Sequence, residues 1–171
     1  MAISITLNEY LSSHNIQYEL VQHRHTQSSL DSSCSAHLPG AEVAKAVILQ
    51  SRDDDFLMAT LSADHRLDIH LVNELMGKEY LIVSEARLRD LFPDCAQGAI
   101  PGLGQAFAIN NIIDNGLLDC EHIYLEAGDH ESLVKLNQRQ YAELVAQLPH
   151  GNICGEALGM PRRTEVLPRE N

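Results

Sequence analysis

Short apolar runs alternate with polar breaks along this chain, and the period of each run predicts its element. Leu7, Tyr10 and Leu11 recur at helical spacing behind Thr6-Leu-Asn-Glu9, which has the Thr-x-x-Glu form of a capping box, so a helix is expected over 6–14. Tyr18 to Gln22 alternates and reads as a strand that ends at His23-Arg24-His25. Leu30 to Leu38 can form a short helix, which Pro39-Gly40 stops. Val47-Ile48-Leu49 is the apolar run of a largely buried strand, and Arg52-Asp-Asp-Asp55 returns it as a hairpin into Phe56 to Leu61. Leu67 to Met76 is helix-like and closes on Gly77; Tyr80 to Val83 is a strand. Ser84 to Phe92 is a helix capped by Ser84 and stopped by Pro93.

The second half opens on Gly98-Ala-Ile-Pro-Gly-Leu-Gly104, too rich in glycine and proline for a regular element. Ala106 to Ile113 and His122 to Leu125 are apolar enough for strands, Gly128-Asp-His130 makes a turn, and Leu133 to Leu136 is a further strand. Asn137 caps a helix on which Tyr141, Leu144, Val145 and Leu148 form one stripe. Residues 149–171 mix prolines, glycines and charges and read as a loosely ordered tail. Hairpins and helices in no regular βαβ order predict an α+β fold: a central mixed, largely antiparallel sheet flanked by helices, in one domain over 1–148.

With no Trp and 5% aromatics, the core must be mainly aliphatic. No apolar run approaches the roughly 18–20 residues needed to cross a bilayer, and the first residues lack a signal-peptide pattern, so a cytoplasmic protein is expected. The four cysteines, Cys34, Cys95, Cys120 and Cys154, are widely spaced and are expected as free thiols. The net charge is −12, and from Pro149 onward three arginines balance three glutamates, so the whole deficit lies in residues 1–148. Such a body repels long phosphate backbones, which argues against DNA but leaves room for a small mouth that grips a nucleic-acid end.

Candidate chemistry is sparse. The glycine loop has Phe107 where a dinucleotide fingerprint needs its third glycine, and no Gly-Lys-Ser/Thr follows for a phosphate loop. It can be a plain turn or a row of N–H groups presented to an anion. His23-x-His25 and the pair His65 and His70 lack metal-ligand spacing, so neither metal nor cofactor is expected. No serine sits in a nucleophile elbow. Lys45 stands at the mouth of a core strand, where it either snorkels to water or holds a positive charge at the lip of a pocket.

In order, His23 after a strand, the Pro39-Gly40 stop, Ala44-Lys45 entering a buried strand, the Gly98–Gly104 loop and Ala127-Gly-Asp-His130 resemble the YbaK/prolyl-tRNA-synthetase-associated domain, over roughly residues 5–148. The loop reads Pro101-Gly102-Leu103 where many relatives carry a second proline and a phenylalanine. The resemblance implies an aminoacyl-tRNA deacylase that edits mischarged tRNA in trans. Lys45 would be the essential lysine, and Gly98, Ala99, Ile100, Pro101 and Gly102 the substrate loop. Gly128, His130 and His23 would line or approach the same cleft. The implied partners are the tRNA acceptor end and an aminoacyl-tRNA synthetase, without membrane or DNA. A non-catalytic module binding tRNA or a small ligand on the same fold stays open as the alternative.

Overall fold

The predicted hairpin is the centre of the molecule. In the computed structural model, which describes residues 3–159, β2 (Val43–Ser51) and β3 (Phe56–Ser62) pair antiparallel from Ala44↔Ser62 to Gln50↔Phe56. Beyond β3 lie two parallel neighbours, β6 (Asn110–Asp114) and then β9 (His150–Gly151). The other edge of β2 is shared. There β7 (His122–Glu126) runs parallel beside Val43 and Ala44, and β5 (Tyr80–Ile82) runs antiparallel beside Leu49 to Ser51. Outside β7 come β8 (Ser132–Asn137) and β1 (Glu19–Gln22), each antiparallel to its neighbour. A separate ribbon joins β4 (His65–Leu67) to β10 (Cys154–Ala157). The architecture is thus α+β around a mixed, mostly antiparallel sheet.

Strand alternation sends Ala44 and Ile48 to one face of the sheet and Val43 and Leu49 to the other. On the first face, α1 (Ile5–Ser13), α5 (Asn115–Leu118) and α6 (Gln138–Val145) bury Leu7, Leu11, Leu117, Tyr141 and Val145 against Ala44, Ile113, Leu125 and Val134. Each fully buried leucine there is worth about 1.5–3 kcal/mol relative to exposure. On the same face α4 (Glu85–Leu91) brings Leu88, and the following turn Phe92, onto Ile48, Met58 and Ile100. The second face is covered by α3 (Ile69–Met76), through Val72, and by the segment after α2 (Ser29–Ser35), through Ala36 and Leu38.

Several expectations change in detail. The first helix is capped by Ser4, not by a Thr6–Glu9 box: Ser4 Oγ accepts from Leu7 N–H and donates to Asp94 at 2.7 Å. Residues 106–109 are not strand. A 3-10 turn over Gly104–Phe107 ends at Ala108 in a left-handed conformation (φ 55°), because Asn111 Oδ1 holds Gly104 N–H at 2.8 Å and folds the chain back on itself. Ser84 occupies the cap position of α4 without a side-chain cap bond. The expected loose tail carries β9 and β10 as far as Ala157, because Ile153 is fully buried and its N–H bonds Asp114 at 2.9 Å. The rest of that tail, 160–171, lies outside the described residues.

Candidate active site

The shared edge of β2 leaves an opening in the sheet. Pairing with β7 stops at Ala44 and pairing with β5 starts at Leu49. Lys45, Ala46 and Val47 are consequently half-buried, while the residues before and after them on the strand are buried. No other strand fills this stretch of edge among the described residues.

Lys45 points to the face of Val43 and Leu49. Its Nζ donates to the His65 carbonyl in β4, and Asp64, Arg66 and Cys154 stand around it. Burial pushes its pKa below the ordinary lysine value and Arg66 adds to the fall, against the pull of Cys154 and Asp64. The side chain is thus not freely solvated: its ammonium is held by a backbone carbonyl.

The glycine loop approaches from the opposite face. Thr60, wholly buried on β3, donates to the Gly102 carbonyl at 3.2 Å, and Asn111 Nδ2 donates in turn to Thr60 Oγ1 at 2.9 Å. A Cβ on Gly102 would lie 2.9 Å from Thr60 Cγ2 and 3.7 Å from Ala44 Cβ, so only glycine lets the loop lie this close. Ile100 packs with Ile48 and Met58, and Ala99 is fully buried. The loop then comes round to Gly98 (φ +82°), whose added Cβ would meet the Gln27 carbonyl at 3.1 Å and the His130 ring at 3.3 Å.

His130 is buried in a left-handed turn (φ 62°), and its Nε2–H donates to the Gln97 carbonyl, while Nδ1 has no partner among the described residues. Gly98 and His130 line one hollow of about 420 Å³ with His25, Gln27, Glu85, Leu88 and Gln97. His23 adjoins it through the backbone, its N–H bonding the Glu131 carbonyl at 2.9 Å. Gly128 packs behind, accepting at its carbonyl from Ala96 N–H at 2.7 Å. The structure therefore brings Gly98 together with His130, while His23 reaches that region only through its backbone bond to Glu131 and does not line the hollow. Lys45 Nζ and the loop do not share a hollow; they flank the sheet opening from opposite faces.

One buried acid was not singled out in the sequence. The register Val43↔Tyr124, Ala44↔Leu125 places Glu126 one rung on, on the same face as Lys45. Glu126 is fully buried; Ser32 Oγ donates to its Oε1 at 2.9 Å, and Oε2 has no partner among the described residues. Burial pushes its pKa up to about 7, against the Ser32 and Ser29 hydroxyls and with Asp129 adding to the rise. In sequence it was only the residue after an apolar run.

Other features offer less. All four cysteines are free, and burial pushes Cys95 and Cys154 to about 12, far from a reactive thiolate. Among the described residues no cluster of three His, Cys, Asp or Glu is placed to hold a metal ion. A larger hollow of about 640 Å³ lies beside β5, but its Arg52 and Arg87 are balanced by Asp54 and Glu79, and it holds none of the predicted site residues.

The α+β fold of this chain is shared with solved structures. One, described as "hypothetical protein APE2540", superposes with a TM-score of 0.77 at 18% identity, over 88% of this chain and 99% of that one. Another, described as "a putative trans-editing enzyme for prolyl tRNA synthetase", gives 0.76 at 14% identity, over 90% and 97%. Those likenesses establish the fold. The sequence itself matches the aminoacyl-tRNA editing domain over residues 23–144, and the chain belongs to that family. Comparison with curated proteins returns no match.

Proposed function

We propose that this chain hydrolyses the ester of mischarged aminoacyl-tRNA in trans, with the sheet opening at Lys45–Val47 as its reaction site. The observation that carries the reading is the position of Lys45 on one face of that opening and of the Ala99–Gly102 loop on the other. An aminoacyl ester is already activated, so water can attack its acyl carbon directly. The ester C–O bond breaks, the ribose oxygen leaves with a proton, and the free amino acid departs. What the protein must supply is position and stabilisation of the negative charge on the carbonyl oxygen. The Lys45 ammonium supplies that charge if it leaves the His65 carbonyl for the substrate, a swing within the reach of a four-carbon stem.

His130, Gly98 and His23 belong to the rim that receives the rest of the acceptor end. With its net charge of −12 the body is suited to hold little of the tRNA beyond that end, either alone or beside a synthetase. Incubating the full chain with a panel of tRNAs charged with cognate and non-cognate amino acids tests the proposal. Selective loss of one or a few mischarged species is expected; stability of every charged species overturns it.

A further inference from the structure

The edge of β2 that faces the opening carries one residue whose backbone polar groups no strand takes among the described residues. The Val43 carbonyl accepts from Ala63 N–H, on the β3 side, at 2.7 Å, whereas the Ile48 carbonyl accepts from Val83 N–H, on the β5 side, at 2.9 Å. In an extended strand one residue turns its N–H and C=O to one edge and the next residue to the other. Residues 44, 46 and 48 therefore face the β7 and β5 edge. Ala44 is the last rung with β7, and Ile48 is held by Val83. Ala46 lies between them, half-buried, its N–H and C=O both turned into the opening and outside either ladder. Its methyl packs against the cluster to which Ile48, Met58 and Ile100 belong, on the loop side.

We infer that Ala46 is the docking point for the α-aminoacyl group, which pairs with it as a single residue of an added antiparallel strand. The inference rests on the deacylase reading above and names what that site grips. An α-aminoacyl ester presents an ammonium donor and a carbonyl acceptor on either side of one carbon, the same two groups as a backbone residue. The Ala46 carbonyl accepts from the ammonium, and the Ala46 N–H donates to the ester carbonyl, a bond that strengthens as that oxygen gains charge. Paired residues of antiparallel strands put their side chains on one face. An L-amino acid accordingly sends its side chain to the Ile100 face, and a D-amino acid to the Lys45 face. The ligand class is an L-α-aminoacyl ester with a free amino group.

Amide hydrogen exchange in the 15N-labelled full chain tests this. In the free protein the Ala46 amide should exchange about 100-fold faster than those of Ala44 and Val47, which sit in ladders. Saturating 3′-(L-alanylamino)-3′-deoxyadenosine, whose amide resists hydrolysis, should slow Ala46 about tenfold or more. The propanoylamino counterpart, lacking the ammonium, should bind about 10–100-fold more weakly. A slow Ala46 amide in the free protein overturns the inference, as do equal binding of the two analogues, binding that leaves Ala46 exchange unchanged, or no binding at millimolar concentration. Turnover of charged tRNA is scored apart. Protection of Ala46 without turnover would sink the deacylase reading and keep the docking point; turnover with an unprotected Ala46 would do the reverse.

Discussion

Replacing Glu126 by glutamine removes a titration and keeps the shape. In the folded chain burial raises the Glu126 carboxyl from 4.5 to about 7. Unfolded, it ionises at the lower value, so between the two the unfolded chain gives up its proton first. The associated stability is fully present below about pH 4.5, falls as pH rises to about 7, and is flat beyond. A shift of this size corresponds to about 3 kcal/mol across that window. Glutamine stays neutral throughout and can still accept from Ser32 Oγ, now 2.9 Å from Oε1. Urea unfolding of both proteins should be run at intervals from pH 4.5 to 8. The stability of Glu126→Gln relative to wild type should rise with pH by about 3 kcal/mol in total, whatever constant offset the unpartnered amide introduces. A difference that stays level across the range would refute the assignment of Glu126 as a buried acid that holds its proton, and one that falls would invert it.

Gly98→Ala places a Cβ on a left-handed residue (φ +82°) against the Gln27 carbonyl and the His130 ring; a loss of about 1–3 kcal/mol is expected in urea unfolding, and an unchanged midpoint would show that the loop yields freely. Thiol labelling should follow exposure and burial: exposed Cys34 reacts with N-ethylmaleimide first at pH 8, while Cys95 and Cys154, both pushed up to about 12, lag behind. Peptide mass spectrometry over a time course reads the order, and early modification of Cys154 would contradict the environment described for Lys45.

Much of the fold was legible because local signals set it. The Arg52–Asp55 turn between two apolar runs gave the central hairpin, Asn137 with Gln140 forms a capping box, and Gly77 ends α3 in a left-handed conformation (φ 64°). What escaped depends on distant partners. Ser4 displaces Thr6 as a cap because Asp94, ninety positions away, accepts from it. The strands β4, β9 and β10 are too short to show a period and exist only through their pairing. Among the site residues, Gly98 and His130 meet across a hollow, a contact that spacing alone does not reveal. That Lys45 and the loop would stand on opposite faces could not be read from spacing, because it depends on the loop packing onto Thr60 and Ala44, on the face that strand alternation denies to Lys45. For the same reason Glu126 and the Ala46 backbone were invisible: their chemistry lies in burial and pairing, not in residue type.

The proposed hydrolysis requires Lys45 to act at the opening rather than merely pack beside it. Single-turnover deacylation of the mischarged tRNA that the panel identifies, measured for wild type and Lys45→Ala at matched folded fractions, puts this to the test. A fall in rate of about 10²–10³ at saturating enzyme is expected for the loss of one charge-stabilising donor. A variant that is folded and deacylates at the wild-type rate would contradict the assignment of the reaction to this opening.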